Sequence, residues 1–197
     1  TQKSGFNIPG QYHFVVSKTT RLRMSMHVIL ETERLVFREF TAADAPLIYE
    51  LNLDPEITRY TLDPVRDLDH AAEILHSVIL PQYTLYNHGR WAVLLKPTLR
   101  FIGWCGLKTR PELAEVDLGY RFMKSAWGKG YATEAAKASL QHGFGQLGLD
   151  RIVGRALTGN GASIRVLEKC GMNFIGEQVV EGLLHRTYES LNPFIRL

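Results

Sequence analysis

"WGKGYATEA", Trp127–Ala135, sets two glycines and a lysine directly before an alanine-rich run. The segment ahead of it, "AEVDLGYRFM", has the aromatic and branched residues of a strand. The segment behind it, "YATEAAKASLQHGFG", places Ala136, Leu140, Phe144 and Leu147 on one helical stripe. A glycine turn that leaves a strand and opens a helix presents amides with no internal partner, backed by aligned dipoles. Glycines there let an anion's oxygens approach to hydrogen-bonding distance, so the turn is suited to phosphate; a merely flexible turn is the plainer alternative.

A second glycine stretch, "GFGQLG" at Gly143–Gly148, spells GxGxxG. That fingerprint holds a dinucleotide only when it follows a strand and opens a helix. Here it closes a helix and precedes the strand "RIVGRAL", so it reads as a helix stop rather than the signature of an NAD-binding oxidoreductase. The GxxxxGK[ST] pattern of an ATP-type phosphate loop is absent.

Working outward, "VILETERLVFREF" alternates as a strand with Leu35 and Phe37 on one face. "TAADAPLIYEL" starts a helix, with Thr41 as cap and Asp44 at the acidic capping-box position. "DLDHAAEILHSVILPQY" is a further helix that ends near Pro81. "RWAVLLK" and "RFIGWCGLK" are strands, "GASIRVLEKCG" is a short helix stopped by Gly171, and "NFIGEQVVEG" with "LLHRTYESL" forms a final hairpin. The expected architecture is α/β with a mixed, mostly antiparallel sheet.

The chain has 197 residues, 45% hydrophobic and 22% charged, enough for one substantial core. Its formal charge is only +3, but eight Lys or Arg against three Asp or Glu fall between Arg121 and Lys169. A compact polyanion suits that stretch better than a long nucleic acid. No run approaches the roughly 20 apolar residues of a membrane span, and no secretory pattern opens the sequence, so the expectation is a cytoplasmic protein without membrane or nucleic-acid partners. Cys105 and Cys170 read as free thiols, and the seven histidines form no HxxxH or HExxH pair, so no metal is expected. Residues 1–25 carry four basic and no acidic side chains. They read as an N-terminal extension, flexible or added to the native chain, although "YHFVVS" also suits an additional strand.

After the glycine turn, "NGASIRVLEKCGMNFIGE" places Asn160, Ser163, Arg165 and Lys169 around a short helix, where polar and basic groups could close over an elongated anion. Taken alone, such residues are helix caps and a solvated face.

Together these segments resemble the GNAT superfamily of N-acetyltransferases, in particular its ribosomal-protein N-terminal acetyltransferase-like (RimJ/RimL-type) branch. "WGKGYA", Trp127–Ala132, matches the family's [QR]xxGx[GA] motif in Gly130 and Ala132, with Trp127 at the Gln/Arg position. Asn160, Ser163, Glu168, Lys169 and Gly171 match NxxSxxxxEKxGF, with Met172 in place of Phe. "LETERLVFREFTAADA", "FIGWCGL" and "DLGYRF" add to the likeness, which covers about residues 28–190. The resemblance implies a single GNAT domain over residues 26–197, with central strands splayed around acetyl-CoA, and dimers as a family-level expectation.

The resemblance further implies that Trp127 and Gly128 shape a pyrophosphate site made by the amides of Lys129, Gly130, Tyr131, Ala132 and Thr133. Pantetheine would run beside Tyr120 to Met123, with Phe122 as the main-chain partner and Met123 beside it. A bulge in the family's fourth strand aims an amide at the thioester carbonyl, and Tyr120 or Arg121 is placed to supply it. Asn160, Ser163, Arg165 and Lys169 complete the cofactor set.

Amine acetylation needs a neutral nitrogen. At pH 7 an α-amine costs about 1 kcal/mol to deprotonate and a lysine roughly 4 to 5. Asp117 is the first candidate base and Glu115, of the same strand parity, the reserve. Many relatives carry an acid tyrosine seven positions after the motif asparagine, where this chain has Leu167. Ser163 is then the candidate proton donor to the departing thiolate, with helix capping as its alternative. Cys170 lacks a neighbouring His and reads as a structural thiol rather than an acetyl carrier.

The expected function is direct acetyl transfer from acetyl-CoA to a primary amine, a protein N-terminus in one reading. A small-molecule acceptor (polyamine, amino acid or aminoglycoside) and a noncatalytic acyl-CoA sensor are the alternatives. Acceptor choice is expected around Leu53 to Tyr86 and in the C-terminal hairpin. There "LDPEITRYTLDPVRDLDH", with five acids against two Arg, either attracts a cationic acceptor or is a solvated loop.

Overall fold

The computed structural model describes residues 26–61, 63–180 and 182–194. The expected N-terminal extension, with its alternative strand "YHFVVS", lies outside the described residues. Eight strands form one open sheet in the order β1-β2-β3-β4-β5-β6-β8-β7. They are β1 (Val28–Glu31), β2 (Leu35–Arg38), β3 (Arg90–Leu95), β4 (Phe101–Arg110), β5 (Glu115–Phe122), β6 (Arg151–Leu157), β7 (Asn173–Val180) and β8 (Leu183–Leu191). All neighbours are antiparallel except β5 and β6.

That parallel pair positions the site. β5 and β6 pair only at Asp117↔Val153 and Leu118↔Gly154, so the strands part over the last four residues of β5. The pairing of β5 with β4 runs without a register shift from Gly103↔Phe122 to Arg110↔Glu115. The irregularity expected in β5 is therefore not seen in its pairing with β4; register shifts occur instead at Val28/Leu30, Val93/Leu94 and Phe174/Gly176.

The helices are α1 (Ala45–Asn52), α2 (Pro55–Thr58), α3 (Leu68–Ile74), α4 (Leu80–Tyr86), α5 (Tyr131–Gly145) and α6 (Gly161–Lys169). Alternation along the strands divides the core. Leu35, Phe37, Trp91, Leu107 and Leu118 face α5 and α6 with Ala136, Leu140 and Leu167. Val36, Ala92 and Leu94 face the opposite way, onto Ile48, Leu51, Leu75 and Ile79.

Two elements depart from the sequence reading. "VILETERLVFREF" is a hairpin, β1 and β2, rather than one strand; Leu35 and Phe37 do share a face. The helix expected to stop near Pro81 continues to Tyr86. A π-helical segment, Leu75–Ile79, widens the turn just before the proline, which sits at the start of α4 where its missing N–H is tolerated. The run then ends at Asn87, in the left-handed conformation with φ 58°. The capping box at Thr41 and Asp44 forms, with Asp44 accepting from the Thr41 amide at 2.7 Å and from its hydroxyl at 2.9 Å.

Candidate active site

The glycine turn lies between β5 and α5. Gly128 and Gly130 have φ of +72° and +79°, and a Cβ at Gly128 would meet nothing within 4 Å among the described residues, which leave the turn open on its outer side. The first helical bond of α5 runs from the Glu134 amide to the Gly130 carbonyl. The amides of Tyr131, Ala132 and Thr133 therefore precede the helical ladder, which is the donor set an anion requires.

Arg34, in the β1–β2 turn, braces this array from 100 positions away, a role the sequence reading missed. Its Nε donates to Glu134 Oε2 at 2.6 Å, its Nη1 to the Lys129 carbonyl at 3.0 Å, and its guanidinium lies 4.5 Å from the Tyr131 ring centroid. Glu134 also accepts from the Thr32 hydroxyl at 2.5 Å. Lys129 turns its ammonium to the Ser125 carbonyl at 2.8 Å.

Along the opened edge of β5, most of Met123 is already used. Its amide donates to the Ile102 carbonyl at 2.9 Å and its carbonyl accepts from the Ala126 amide at 2.8 Å. The Phe122 carbonyl accepts the Trp127 indole N–H at 2.8 Å. Since the Met123 amide faces β4, strand alternation turns the amides of Phe122 and Tyr120 toward the β6 side and that of Arg121 toward β4. Of the two amides considered for the thioester carbonyl, Tyr120's therefore faces the opening.

The Tyr120 side chain, which the sequence reading passed over in favour of its amide, reaches α6. Its hydroxyl donates to the Ser163 carbonyl at 2.9 Å and lies 3.0 Å from Ser163 Oγ, so the serine proton points back at the phenol oxygen. Burial raises the phenol's pKa well above its ordinary value, the Ser163 bond opposing, and keeps it protonated. Asn160 is the N-cap of α6 and accepts from the Ser163 amide at 3.1 Å. Arg165 and Lys169 are exposed on that helix, Lys169 in its last turn, at the end opposite Asn160.

Beyond the opening, on the α1 side, lies a cavity of about 450 Å³ bounded by Asn52, Tyr60, Ile79, Trp104, Asp117 and Arg121 among others. Val180, Leu183 and His185 of the hairpin close its far side. Both candidate bases are engaged by arginine here. Asp117 Oδ1 and Oδ2 accept from Arg90 Nη2 at 2.9 and 2.7 Å, and Arg110 Nε lies 3.6 Å away. Glu115 takes two bonds from Arg155, the longer 2.9 Å. Each carboxylate thus already spends both its oxygens on guanidinium hydrogen bonds. Arg90 also donates to the Gly106 and Asp117 carbonyls, at 2.5 and 2.9 Å, so the pair ties β3 across β4 to β5.

The acids of the 53–70 stretch are largely bound within the fold. Asp54 caps α2 and Asp67 caps α3, Glu56 pairs with Lys124, and Asp63 accepts from Arg121 at 2.7 and 2.9 Å. The strand-to-helix turn, the parted strands and the cavity occur in the chain order of the family resemblance.

A model of the acetyltransferase (GNAT) domain matches residues 34–173. The chain belongs to the GNAT acetyltransferases. Among its GNAT relatives is the uncharacterized N-acetyltransferase p20 of Bacillus licheniformis, 31% identical over 163 residues, which are 81% of this chain and 86% of the relative. The fold is similar to that of RimL, the ribosomal L7/L12 alpha-N-protein acetyltransferase, in complex with coenzyme A (TM-score 0.72, 16% identity, 83% of this chain and 97% of that one). It is similar also to the spermidine N-acetyltransferase of Vibrio cholerae, in complex with CoA and spermine (TM-score 0.68, 20% identity, 82% and 97%). This GNAT protein is an acetyl-CoA-dependent N-acetyltransferase. Among the described residues, no helix is long and apolar enough to cross a membrane, and no group of three His, Cys, Asp or Glu is placed to hold a metal ion.

Proposed function

We propose that this GNAT protein moves the acetyl group of acetyl-CoA directly to a primary α-amine, of a small molecule or a protein N-terminus, seated in the 450 Å³ cavity. The observation that carries the reading is the parting of β5 and β6 after Leu118, with the glycine turn on one side and the cavity on the other. The amides of Lys129, Gly130, Tyr131, Ala132 and Thr133 receive the pyrophosphate, and the opened edge of β5 receives the pantetheine.

The amine nitrogen attacks the thioester carbonyl, and the carbonyl oxygen gains charge that the Tyr120 amide stabilises. The C–N bond forms, the C–S bond breaks, and the amine's proton leaves to water. As the C–S bond breaks, the Ser163 hydroxyl turns its proton from the Tyr120 oxygen to the thiolate and recovers one from solvent, while the Tyr120 hydroxyl stays bonded to the Ser163 carbonyl. Asp117 and Glu115 act as ion-pair partners of Arg90 and Arg155 rather than as bases. Base catalysis is less needed in a cation-rich wall, which itself favours the neutral amine.

The test is coenzyme A thiol release against a panel of α-amines, ε-amines and polyamines, with acetyl-CoA binding measured by calorimetry. Release with α-amines supports the reading. Tight binding without release for every amine makes the protein an acyl-CoA sensor, and absence of binding removes the pyrophosphate site. Ser163→Ala is expected to lower kcat about 10- to 100-fold while leaving acetyl-CoA binding within a few-fold.

A further inference from the structure

The cavity wall is unbalanced in charge. Arg90, Lys108, Arg110, Arg121 and Arg155 line it, against the carboxylates of Asp63 and Asp117. Those acids are taken: Asp117 by Arg90, with Arg110 at 3.6 Å, and Asp63 by Arg121. Glu115 holds Arg155. Lys108 is left. It stands opposite Asp117 in the β4–β5 register and is half-buried, yet its ammonium forms no ion pair or hydrogen bond among the described residues. Burial, then Arg90 and Arg110, lower its pKa, and the opposing carboxylates of Asp117 and Glu112 do not offset them.

A second deficit lies in the same wall. Arg121 is 8% exposed and lines the cavity; its terminal nitrogens bond Asn52 and Asp63, but its buried Nε–H has no acceptor among the described residues. The Nε–H of Arg155 is in the same condition. Buried donors are seldom left unpaired, and those that are call for a partner. A single anion in the cavity supplies both counter-charge and acceptor oxygens.

Resting on the transferase reading above, we infer that the acceptor is an amine carrying a carboxylate or phosphate group, which seats between Lys108 and Arg121. Arg121 adjoins Tyr120, and Lys108 stands opposite a residue three positions from it, about 10 Å along the strand. The anionic group and the amine are therefore separated by roughly that distance or less, as in an acidic amino acid or a peptide that begins with one. A polyamine meets like charge in this wall and is disfavoured. The acid-rich stretch at residues 53–70 does not reverse the sign, since four of its five carboxylates cap helices or pair with Lys124 and Arg121, and the fifth, Asp69, is not among the residues that line the cavity.

The test uses matched α-amines with the full chain loaded with coenzyme A. Aspartyl-alanine amide is compared with asparaginyl-alanine amide, phosphoseryl-alanine amide with seryl-alanine amide, and spermidine is included. Binding is read by calorimetry and turnover by thiol release from acetyl-CoA. The anionic member of at least one pair is expected to bind about tenfold or more tightly, and the pair that responds distinguishes carboxylate from phosphate. Lys108→Met is expected to bring that ratio close to one without changing acetyl-CoA binding, and Lys108→Arg to keep it. Equal affinity within both pairs, preference for spermidine, or a ratio unmoved by Lys108→Met overturns the inference. Thiol release from neutral and anionic amines alike sinks this inference and spares the transferase. Charge-selective, Lys108-dependent binding with no release from any amine does the reverse.

Discussion

Arg90 and Asp117 meet across the space where Gly119 has no side chain. A Cβ at Gly119 would stand 2.5 Å from Arg90 Nη2 and 2.6 Å from its Cζ. Gly119→Ala therefore moves the guanidinium and leaves the buried Asp117 short of its partner. The expected cost is about 2 to 4 kcal/mol of stability, read from the urea midpoint. Gly145→Ala, where a Cβ meets nothing within 4 Å, is the control and is expected to be neutral or slightly stabilising. Equal midpoints for the two variants contradict the steric account.

The glycine turn is braced by Arg34 through Glu134 and the Lys129 carbonyl. Arg34→Ala loosens the amide array without touching the acceptor cavity. Its KM for acetyl-CoA is expected to rise about 3- to 10-fold with kcat nearly unchanged, a loss of about 1 kcal/mol of ground-state binding. Gly130→Asp is the harsher change, since it sets a side chain at φ +79° and a carboxylate beside the pyrophosphate site. It is expected to abolish acetyl-CoA binding by calorimetry while the urea midpoint shifts only modestly.

Acid sensitivity should come in two stages. Burial holds the His88 pKa below its ordinary 6.5, with Arg90 adding to the effect and the Leu107 carbonyl opposing it. The unfolded chain therefore protonates first, and the stability contributed is complete above pH 6.5 and lost as pH falls through the folded value. Burial acts to raise Asp44, but hydrogen bonds from Arg38 and Thr41 outweigh it and hold it below 3.8. Its contribution is present above pH 3.8 and lost as pH falls through the lower, folded value. Denaturant midpoints from pH 8 to 3 check this. His88→Gln should shrink the first stage, part of which belongs to His142, also lowered by burial, while Asp44→Asn should remove much of the second.

The two cysteines are free thiols and should be silent. Burial pushes Cys105 up to about 12, with Ser139 opposing, and Cys170 up to about 11. At pH 8 both are almost wholly protonated, and native protein should react slowly with a disulfide reagent that labels it fully in urea. Cys170→Ala should keep its activity; loss of turnover with an acetylated thiol in the native enzyme would instead make it an acetyl carrier.

The parts legible in sequence were those encoded locally. The glycine turn and the alanine stripe after it specify α5 within a few residues, and the closing GFGQLG is a helix stop in the fold as well. Gly143 there packs against the sheet, its would-be Cβ 2.7 Å from Ile152. The β1–β2 hairpin was missed because "TER" contains no glycine or proline to announce a turn. The continuation past Pro81 was missed because a π-helical turn leaves no compositional mark. The charge pattern of the site was hidden for a different reason. Arg34 and Glu134 are 100 positions apart, Arg90 and Asp117 are 27, and Arg121 and Asp63 are 58. An acidic residue in sequence shows its presence, while only the fold shows which cation holds it. Asp117 and Glu115 therefore look alike as bases in sequence and as clamped carboxylates in three dimensions.

The sheet is continuous through only two residue pairs where β5 meets β6. One leaf is the five strands up to Phe122 and the other is β6 with its C-terminal hairpin, sharing α5 and α6 as a binding on one side. A molecule lodged in the gap touches both leaves at once. Ligand binding and cohesion of the fold are thereby linked, and an occupant at a hundred times its dissociation constant adds about 2.7 kcal/mol to the unfolding free energy. The enzyme at work is in this sense a sturdier protein than the enzyme at rest.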